Sequence, residues 1–484
     1  MDFRINEHNF TSSFERTRAF LHNKGILIKL FPFATDKKYL PDSDPDFKSF
    51  NGITGEFFRA CMEMQFNKTP TRSDLMNAVV GKVNTQHKVP LKNTVQTLIY
   101  SDTDELCLFN ADILPHLSLK SDNPKLRAIQ EFIVNLLIDD DVKAIIKNSK
   151  GKKHENILYN LVIERLDALS EKTERDDEYT GYYQGALAIR IRTLFKEDLK
   201  NLSQLEEFYV ANVSHLIKYY YFHYITQLSL RLADFFDTSR EMHPVFFTLT
   251  WEKLSRSRLA LEHGWKKLET SATTLFAHAN TLELLNTIDF GKAFLHIQAP
   301  FTYREITIAV GTMTEDEEKN FAFVVNQLIT RYQSKLDFKW EVFDDSYVMP
   351  DDEIYQKYHS LNLIHRLYSM VKYQFENSGR SGAYADFSVW YKAFVKANYF
   401  KLRGNLGGSL KIDRDLLLLI TELAIMSTGN DKILVNALWT AFEKRGIFLD
   451  EKSRREIFTF FEKSNILEKK SDSGDAQYVK RLYK

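Results

Sequence analysis

The chain of 484 residues is long enough for about two to four domains, and its 18 glycines and 10 prolines are few for that length, which favours a mainly α protein and excludes a collagen-like chain. Lys and Arg number 65 and so do Asp and Glu, which excludes an overall polycation that would coat nucleic acid by charge alone. Two cysteines exclude a disulfide scaffold and a Cys-rich metal site.

The first 122 residues indicate a mixed α/β region. A strand candidate at Gly25–Phe33 is followed by a segment rich in turn-forming residues and then by helical patterns.

A helical body is predicted over residues 123–300. Its longest helix is expected from Ser203, which has capping-box spacing to Glu206, to about Phe236. The aromatic run Tyr219–Tyr224 has helical spacing on this apolar helix, so we interpret it as core rather than as a surface on which bases stack.

A second helical region with short strands is predicted over residues 301–403. The alternating, β-branched segment Phe301–Thr312 is one strand candidate, and Lys339–Phe343 is another. Between them, Thr314 and Glu317 have capping-box spacing and open a predicted helix.

Residues 404–484 are predicted to be a linker followed by a small C-terminal domain. The linker is the glycine-rich loop Gly404–Ser409. Three helices are expected after it, at Asp413–Met426, Asp431–Arg445 and Asp450–Asn465, and then a two-stranded hairpin. Three short helices and a hairpin predict a winged-helix module, whose last helix can enter a DNA major groove.

The third helix and the hairpin of this module carry cations that could follow a phosphate backbone. They are Lys452, Arg454, Arg455, Lys469, Lys470, Lys480 and Arg481. Winged helices also dock proteins, and residues 411–484 hold 14 Lys and Arg against 12 Asp and Glu. Double-stranded DNA and a protein partner are therefore both open as the ligand.

No catalytic residue is predicted, because the sequence contains no GxxxxGK[ST], GxSxG or HExxH motif. Three acidic clusters, Asp139–Asp141, Glu315–Glu318 and Pro350–Glu353, lie where helices are expected to begin. Carboxylates there cap the helix or favour its dipole, so we interpret them as structural and predict neither a metal nor a cofactor. A metal-dependent nuclease with an unrecognised acidic site is the enzymatic alternative.

The chain is expected to be cytoplasmic and to make no membrane contact. Its longest uncharged apolar stretch is Tyr219–Leu230, whereas a membrane span needs about 20 residues. The first ten residues lack the apolar segment of a secretory signal.

The stretch Leu438–Lys480 (LWTAFEKRGIFLDEKSRREIFTFFEKSNILEKKSDSGDAQYVK) resembles the end of the DptG family, also called DndG, the DNA phosphorothioation-dependent restriction proteins. The hairpin text KSDSGDAQYVK is the most specific part. The resemblance implies a bacterial anti-phage role beside two larger ATPase or helicase-like partners, DptF and DptH. Together these proteins attack DNA that lacks the sulfur modification of its backbone. The resemblance implies no active-site residue.

We therefore expect a non-catalytic subunit of a multi-protein restriction complex, ending in a winged helix that contacts DNA or a partner. The alternatives are the metal-dependent nuclease subunit and a docking scaffold without DNA contact.

Overall fold

The chain folds mainly into α-helices, as the composition predicts, with small β-sheets between them. The computed structural model describes residues 3–15, 25–33, 35, 45–67, 72–100, 106–120, 123–149, 151, 156–166, 169–172, 181–239, 242–291, 300–469 and 477–483. In chain order the helices are α1 (Glu7–Phe14), α2 (Pro45–Ser49), α3 (Asn51–Met62), α4 (Arg72–Lys82), α5 (Lys88–Ile99), α6 (Pro124–Leu137), α7 (Asp140–Asn148), α8 (Ile157–Ile163), α9 (Ala186–Leu202), α10 (Glu206–Ala233), α11 (Lys267–Thr273), α12 (Leu275–Leu285), α13 (Tyr303–Val310), α14 (Glu315–Ser334), α15 (Trp340–Ser346), α16 (Glu353–Lys357), α17 (His359–Glu376), α18 (Ser381–Phe387), α19 (Val389–Asn398), α20 (Arg414–Met426), α21 (Val435–Lys444) and α22 (Glu451–Lys463). The strands are β1 (Arg4–Ile5), β2 (Met64–Phe66), β3 (Leu169–Glu171), β4 (Phe246–Leu249), β5 (Ile288–Asp289), β6 (Phe400–Leu402), β7 (Gly408–Ile412), β8 (Lys432–Leu434), β9 (Phe448–Leu449), β10 (Leu467–Lys469) and β11 (Gln477–Lys480).

Helix α10 forms the centre of the hydrophobic core. The aromatic run Tyr219–Tyr224 is almost completely buried, which confirms its interpretation as core. A helix that is apolar on all faces needs neighbours all round, and α3, α9, α11 and α12 supply them. Neither α10 nor any other helix in the described part of the chain combines the length and the apolar character needed to cross a membrane.

The predicted capping box at the start of α10 is wrong. Ser203 ends helix α9 in a helical conformation (φ −65°, ψ −10°), and its Oγ donates a hydrogen bond to the Lys200 carbonyl oxygen at 2.9 Å. An N-cap residue needs extended dihedral angles. Helix α10 therefore begins at Glu206, with Leu205 before it and no side-chain cap.

A four-stranded sheet joins distant parts of the chain. Its order is β6-β7-β4-β9, in which β4 is parallel to both of its neighbours and β6 and β7 form an antiparallel hairpin. Leu249 of β4 lies opposite Ile412, and Phe246 lies opposite Phe448. Phe247 packs edge-on against Phe222 of α10, with ring centroids 5.9 Å apart. The sheet thus fixes the part of the chain that begins with β6 against the core helix.

Two segments predicted to be strands are helices. Phe301–Thr312 forms α13, because Thr302 and Glu305 make a capping box in which the Thr302 backbone N–H donates to Glu305 Oε2 at 2.8 Å. Ile306 and Val310, one turn apart, are both buried, so the helical spacing prevailed over the β-branched alternation. Lys339–Phe343 lies mostly in α15.

The strand predicted at Gly25–Phe33 is also wrong. The segment is irregular and makes only one isolated bridge among the described residues, between Lys29 and Tyr182. The buried carboxylate of Glu283 accepts hydrogen bonds from three successive backbone N–H groups, those of Ile26, Leu27 and Ile28, at 2.9–3.0 Å. Because a side chain binds these donors, they are not free to pair with another strand.

The glycine-rich loop predicted to be a linker is the turn of the β6–β7 hairpin. The Arg403 backbone N–H donates to the Gly407 carbonyl oxygen at 2.8 Å, and Gly407 has a φ of +82°, which glycine adopts without strain. Strand β7 then pairs with β4, so the predicted division at residue 404 falls inside a hairpin. The domain boundaries themselves stay predictions.

Candidate functional site

The C-terminal segment alternates helices and strands in a defined order. Helix α20, strand β8, helices α21 and α22 and strands β10 and β11 follow one another, with β9 between the last two helices. The strands β10, β11 and β8 form an antiparallel sheet in that order. The three helices and the hairpin agree with the sequence prediction within a few residues.

The sequence missed strand β8. The second helix was expected to start at Asp431, but it begins at Val435, and the preceding residues pair with β11. Ile433 lies opposite Val479, both are buried, and the Arg481 backbone N–H donates to the Asp431 carbonyl oxygen at 3.0 Å. Pairing with the distant strand β11 therefore makes Lys432–Leu434 a strand and not the first turn of the helix. Gly446 follows the second helix with a φ of +78°, which glycine adopts without strain.

A buried ion pair fastens helix α21 to the body. The Arg445 guanidinium lies against the Asp198 carboxylate of α9, with Nε donating to Oδ2 at 2.8 Å. Tyr220 Oη donates to the same carboxylate at 2.6 Å, and Tyr219 Oη donates to the Arg445 carbonyl oxygen at 2.5 Å. Burial is the largest single effect and would lower the pKa of Arg445, but the charge and hydrogen bond of Asp198, together with Tyr220 and Tyr219, outweigh it and raise that pKa. The guanidinium therefore stays charged.

A second buried network holds the start of helix α22. Asp450 caps this helix by accepting from the Ser453 backbone N–H at 3.0 Å, and Arg258 Nε donates to Asp450 Oδ2 at 2.7 Å. Burial disfavours the charged form, but the hydrogen bonds from Arg258 and Ser453 prevail and lower the pKa of Asp450. Glu252 contacts the same Arg258 guanidinium and accepts from Ser453 Oγ.

A third ion pair lies within the module. Glu422 of α20 is fully buried, and its Oε1 accepts from Arg481 Nε at 2.9 Å, while its Oε2 accepts from the Leu482 backbone N–H at 2.8 Å. The Arg445 and Arg258 ion pairs thus hold the module against the body, and the Glu422–Arg481 ion pair stabilises the module itself.

Of the seven predicted DNA-binding cations, two are held in partly buried ion pairs within the described part of the chain. Arg481 is held by Glu422. Arg454 contacts Glu443 Oε1 at 2.5 Å, and its Nε donates to the Leu449 carbonyl oxygen at 3.1 Å. Their charges are partly neutralised before any ligand arrives.

The other five lie nearer the surface or outside what is described. Lys452 is exposed, and Arg455 is exposed but pairs with the glutamate one turn earlier. Lys480 lies half-buried on β11, and Lys469 is the last residue of β10. Lys470 lies outside the described residues.

The exposed side of helix α22 is charge-balanced. Its exposed residues are Glu451, Lys452, Arg455, Glu456, Thr459, Glu462 and Lys463. Three cations therefore face the solvent beside three carboxylates. Phosphate binding requires a cationic surface, whereas complementary charges of both signs suit a protein partner.

The acidic clusters perform the capping role that the sequence predicts. Asp139 Oδ1 accepts from the Val142 backbone N–H at 2.9 Å at the start of α7, and Asp141 pairs with Lys196 at 2.6 Å. That ammonium lowers the pKa of Asp141. Asp352 Oδ1 accepts from a backbone N–H at the start of α16.

The predicted capping box of α14 is confirmed. The Thr314 backbone N–H donates to Glu317 Oε2 at 2.9 Å, and Glu318 Oε1 accepts from the Ser360 backbone N–H at 2.7 Å. Within the described ranges, no three His, Cys, Asp or Glu side chains lie together in a way that could hold a metal ion.

Sequence reasoning missed the arginines that join the module to the body. Arg258 and Arg445 are both about 95 % buried. Each lies in a charged segment of the sequence, which predicts an exposed side chain. Their carboxylate partners are 192 and 247 residues away in the sequence, so no local pattern could have identified them.

The sequence matches no protein-family model and no curated protein. Any functional proposal therefore rests on the residues, on their geometry and on the resemblance at the C-terminus.

Proposed function

We propose that this chain is a non-catalytic subunit of a multi-protein anti-phage restriction complex, which acts in the cytoplasm on DNA lacking backbone phosphorothioate modification. The observation that carries the proposal is the order helix–strand–helix–helix–strand–strand in residues 414–480, with β8 pairing to β11 as the first strand of a winged helix does. The resemblance of Leu438–Lys480 to the DptG family covers this same segment.

The module serves to dock a partner in a fixed orientation. Arg445 and Arg258 bind it to the body through buried carboxylates, so a protein held on α22 is also held relative to the core helix. The charge-balanced exposed side of α22 favours a protein over DNA at this face. The partners are the DptF- and DptH-like ATPase or helicase-like proteins that the resemblance implies.

Co-purification tests the proposal. The full chain carrying an affinity tag is expressed with a DptF-like and a DptH-like ATPase, and the eluate is analysed by size-exclusion chromatography. We expect a stable complex that contains at least one of them. If the chain elutes alone, with both ATPases expressed and soluble, the proposal is wrong.

A pair of variants locates the docking face. Lys452→Glu combined with Lys463→Glu changes the charge of the exposed side of α22 without touching its buried side. The matched control, Lys266→Glu with Lys319→Glu, makes the same change in net charge on other exposed helices. We expect the first pair to weaken co-purification about tenfold or more and the control to leave it unchanged. Equal retention by both would exclude α22 as the docking face.

A further inference from the structure

The helices α4 and α5 form a hairpin with a small core of its own. Leu75 and Val79 of α4 pack with Val95 and Ile99 of α5 and with Val162 of α8, in a cluster separate from the main core. Lys92 Nζ of α5 donates to Asn77 Oδ1 of α4 at 3.2 Å, so the two helices run antiparallel with the turn 83–87 at one end. The two helices thus form a unit with its own core, and their exposed residues do not pack into the main core.

The turn end of the hairpin is basic, and its described residues carry no carboxylate, since Asp74 lies at the opposite end of α4. Residues 75–101 contain no Asp or Glu, although these make up 65 of the 484 residues of the chain. Lys82 ends α4 and Lys88 begins α5, so both ammonium groups lie beside the turn, with Lys92 one helical turn further along. The exposed polar residues around them are Asn77, Asn84, Gln86, Asn93, Thr94 and Thr97.

These three lysines have no acidic partner among the residues that the structure describes. Neither Lys82 nor Lys88 makes an ion pair with a described residue, and Lys92 binds an amide rather than a carboxylate. By contrast, Lys266 and Lys319 each pair with a glutamate one turn away. The positive potential of the hairpin is therefore available to a ligand from outside the chain.

We propose that the turn end of the α4–α5 hairpin binds the sugar–phosphate backbone of double-stranded DNA. Phosphate contacts in protein–DNA complexes come from Lys and Arg together with Ser, Thr, Asn and Gln side chains, which is the mixture exposed here. Helix α5 has 12 residues and is about 18 Å long, and a major groove about 12 Å wide admits an α-helix. The surface is separate from the C-terminal module and does not require that module to bind DNA.

Salt-dependent binding of the full chain tests this surface. A fluorescein-labelled duplex of two helical turns is titrated by anisotropy at several salt concentrations. The test variant combines Lys82→Gln, Lys88→Gln and Lys92→Gln, and the control combines Lys266→Gln, Lys319→Gln and Lys372→Gln, which removes the same charge from helices where each lysine pairs with a glutamate. Circular dichroism and the thermal midpoint verify that both variants are folded.

We expect the wild type to bind the duplex and the hairpin variant to bind at least about tenfold more weakly near 100 mM salt. The slope of log K against log salt should fall by about 2.7, because each lost phosphate contact removes about 0.9. The control variant should behave as wild type.

Three results would overturn the inference. They are no duplex binding by the wild type, an equal loss in both variants, or normal DNA binding by the hairpin variant with loss of a co-purifying protein, which would make the hairpin a protein contact. Since the co-purification test involves different residues, DNA binding without a complex would refute the proposed function and leave this inference standing.

Discussion

Several histidines of this chain are held neutral by burial. His278 of α12 is the clearest case: its Nδ1 lies 3.2 Å from Tyr303 Oη, its ring stacks on Tyr368, and it is 1 % exposed. Burial lowers its pKa to about 3, with the positive charges of His365 and Lys372 adding to the effect. An unfolded histidine titrates near 6.5.

A pH dependence of stability follows from that difference. Between about pH 3 and 6.5 the unfolded chain binds a proton at His278 and the folded chain does not, so stability is full above this window and is lost as the pH falls. The loss from this residue between pH 7 and pH 5 is about 2 kcal/mol. We expect His278→Phe to shrink the difference between urea midpoints at the two pH values.

The exposed His8 supplies the control for this measurement. His8→Phe makes the same substitution at the surface, so it separates the loss of the buried His278 from the loss of a histidine as such. A His278→Phe variant with the wild-type pH dependence would show that this residue does not contribute.

At the scale of elements, the end of helix α21 can be tested with two glycines. Gly446 and Gly429 both have positive φ, +78° and +68°, but a Cβ on Gly446 would lie 2.2 Å from His223 Cε1, whereas one on Gly429 would meet nothing within 4 Å. We expect Gly429→Ala to lower the free energy of unfolding by about 1–2 kcal/mol, the cost of a left-handed residue. Gly446→Ala should cost about 1–3 kcal/mol more, because it also overpacks the core.

Urea denaturation of the two variants measures this difference. Equal midpoints would mean that His223 moves aside at no cost, and that α21 is not held closely against α10.

Elements with complete local signals could be predicted from the sequence, and those fixed by distant partners could not. The helices that start at Pro124 and after Thr314 have a proline or a capping box, and both were found. Thr302 and Glu305 also form a capping box, but the β-branched alternation over the same residues favours a strand, so the sequence predicts the wrong element at α13. Strands β4 and β8 have three or four residues and pair only over long range, which a local pattern does not contain.

The same distinction applies to the candidate site. The pattern of three helices and a hairpin at the C-terminus predicted the module, yet which of its cations face solvent depended on carboxylates elsewhere, such as Glu422 for Arg481. The order of the helices could therefore be predicted from the sequence. Which cations are left unpaired for a ligand could not.

At the scale of the whole molecule, the Arg445–Asp198 pair couples the module to the body. Among the described residues, Arg445→Met would leave the buried Asp198 carboxylate with the Tyr220 hydroxyl alone as a hydrogen-bond donor. We expect a loss of about 3–5 kcal/mol in the free energy of unfolding, measured by urea denaturation. Adding Asp198→Leu should recover most of that loss, because the unpaired charge is then removed.

Arg454→Met is the control, since its ion pair with Glu443 is about one third exposed and lies within the module. Its effect should be much smaller. An Arg445→Met midpoint equal to wild type would mean that module and body unfold independently.

The pairing of strand β4 with later parts of the chain determines when its sheet can form during synthesis. Its two neighbours in the sheet are β7 and β9. Phe246 of β4 lies opposite Phe448 of β9, which is 202 residues later in the chain. At about 5–20 residues per second, a ribosome needs about 10–40 s to make that stretch. Both edges of β4 lack a partner strand until β7 has been made, and the edge that pairs with β9 lacks one until Phe448 has been made. The nascent chain can therefore complete this sheet only after Phe448 has been made, and helix α22, on which the proposed docking face lies, is made later still.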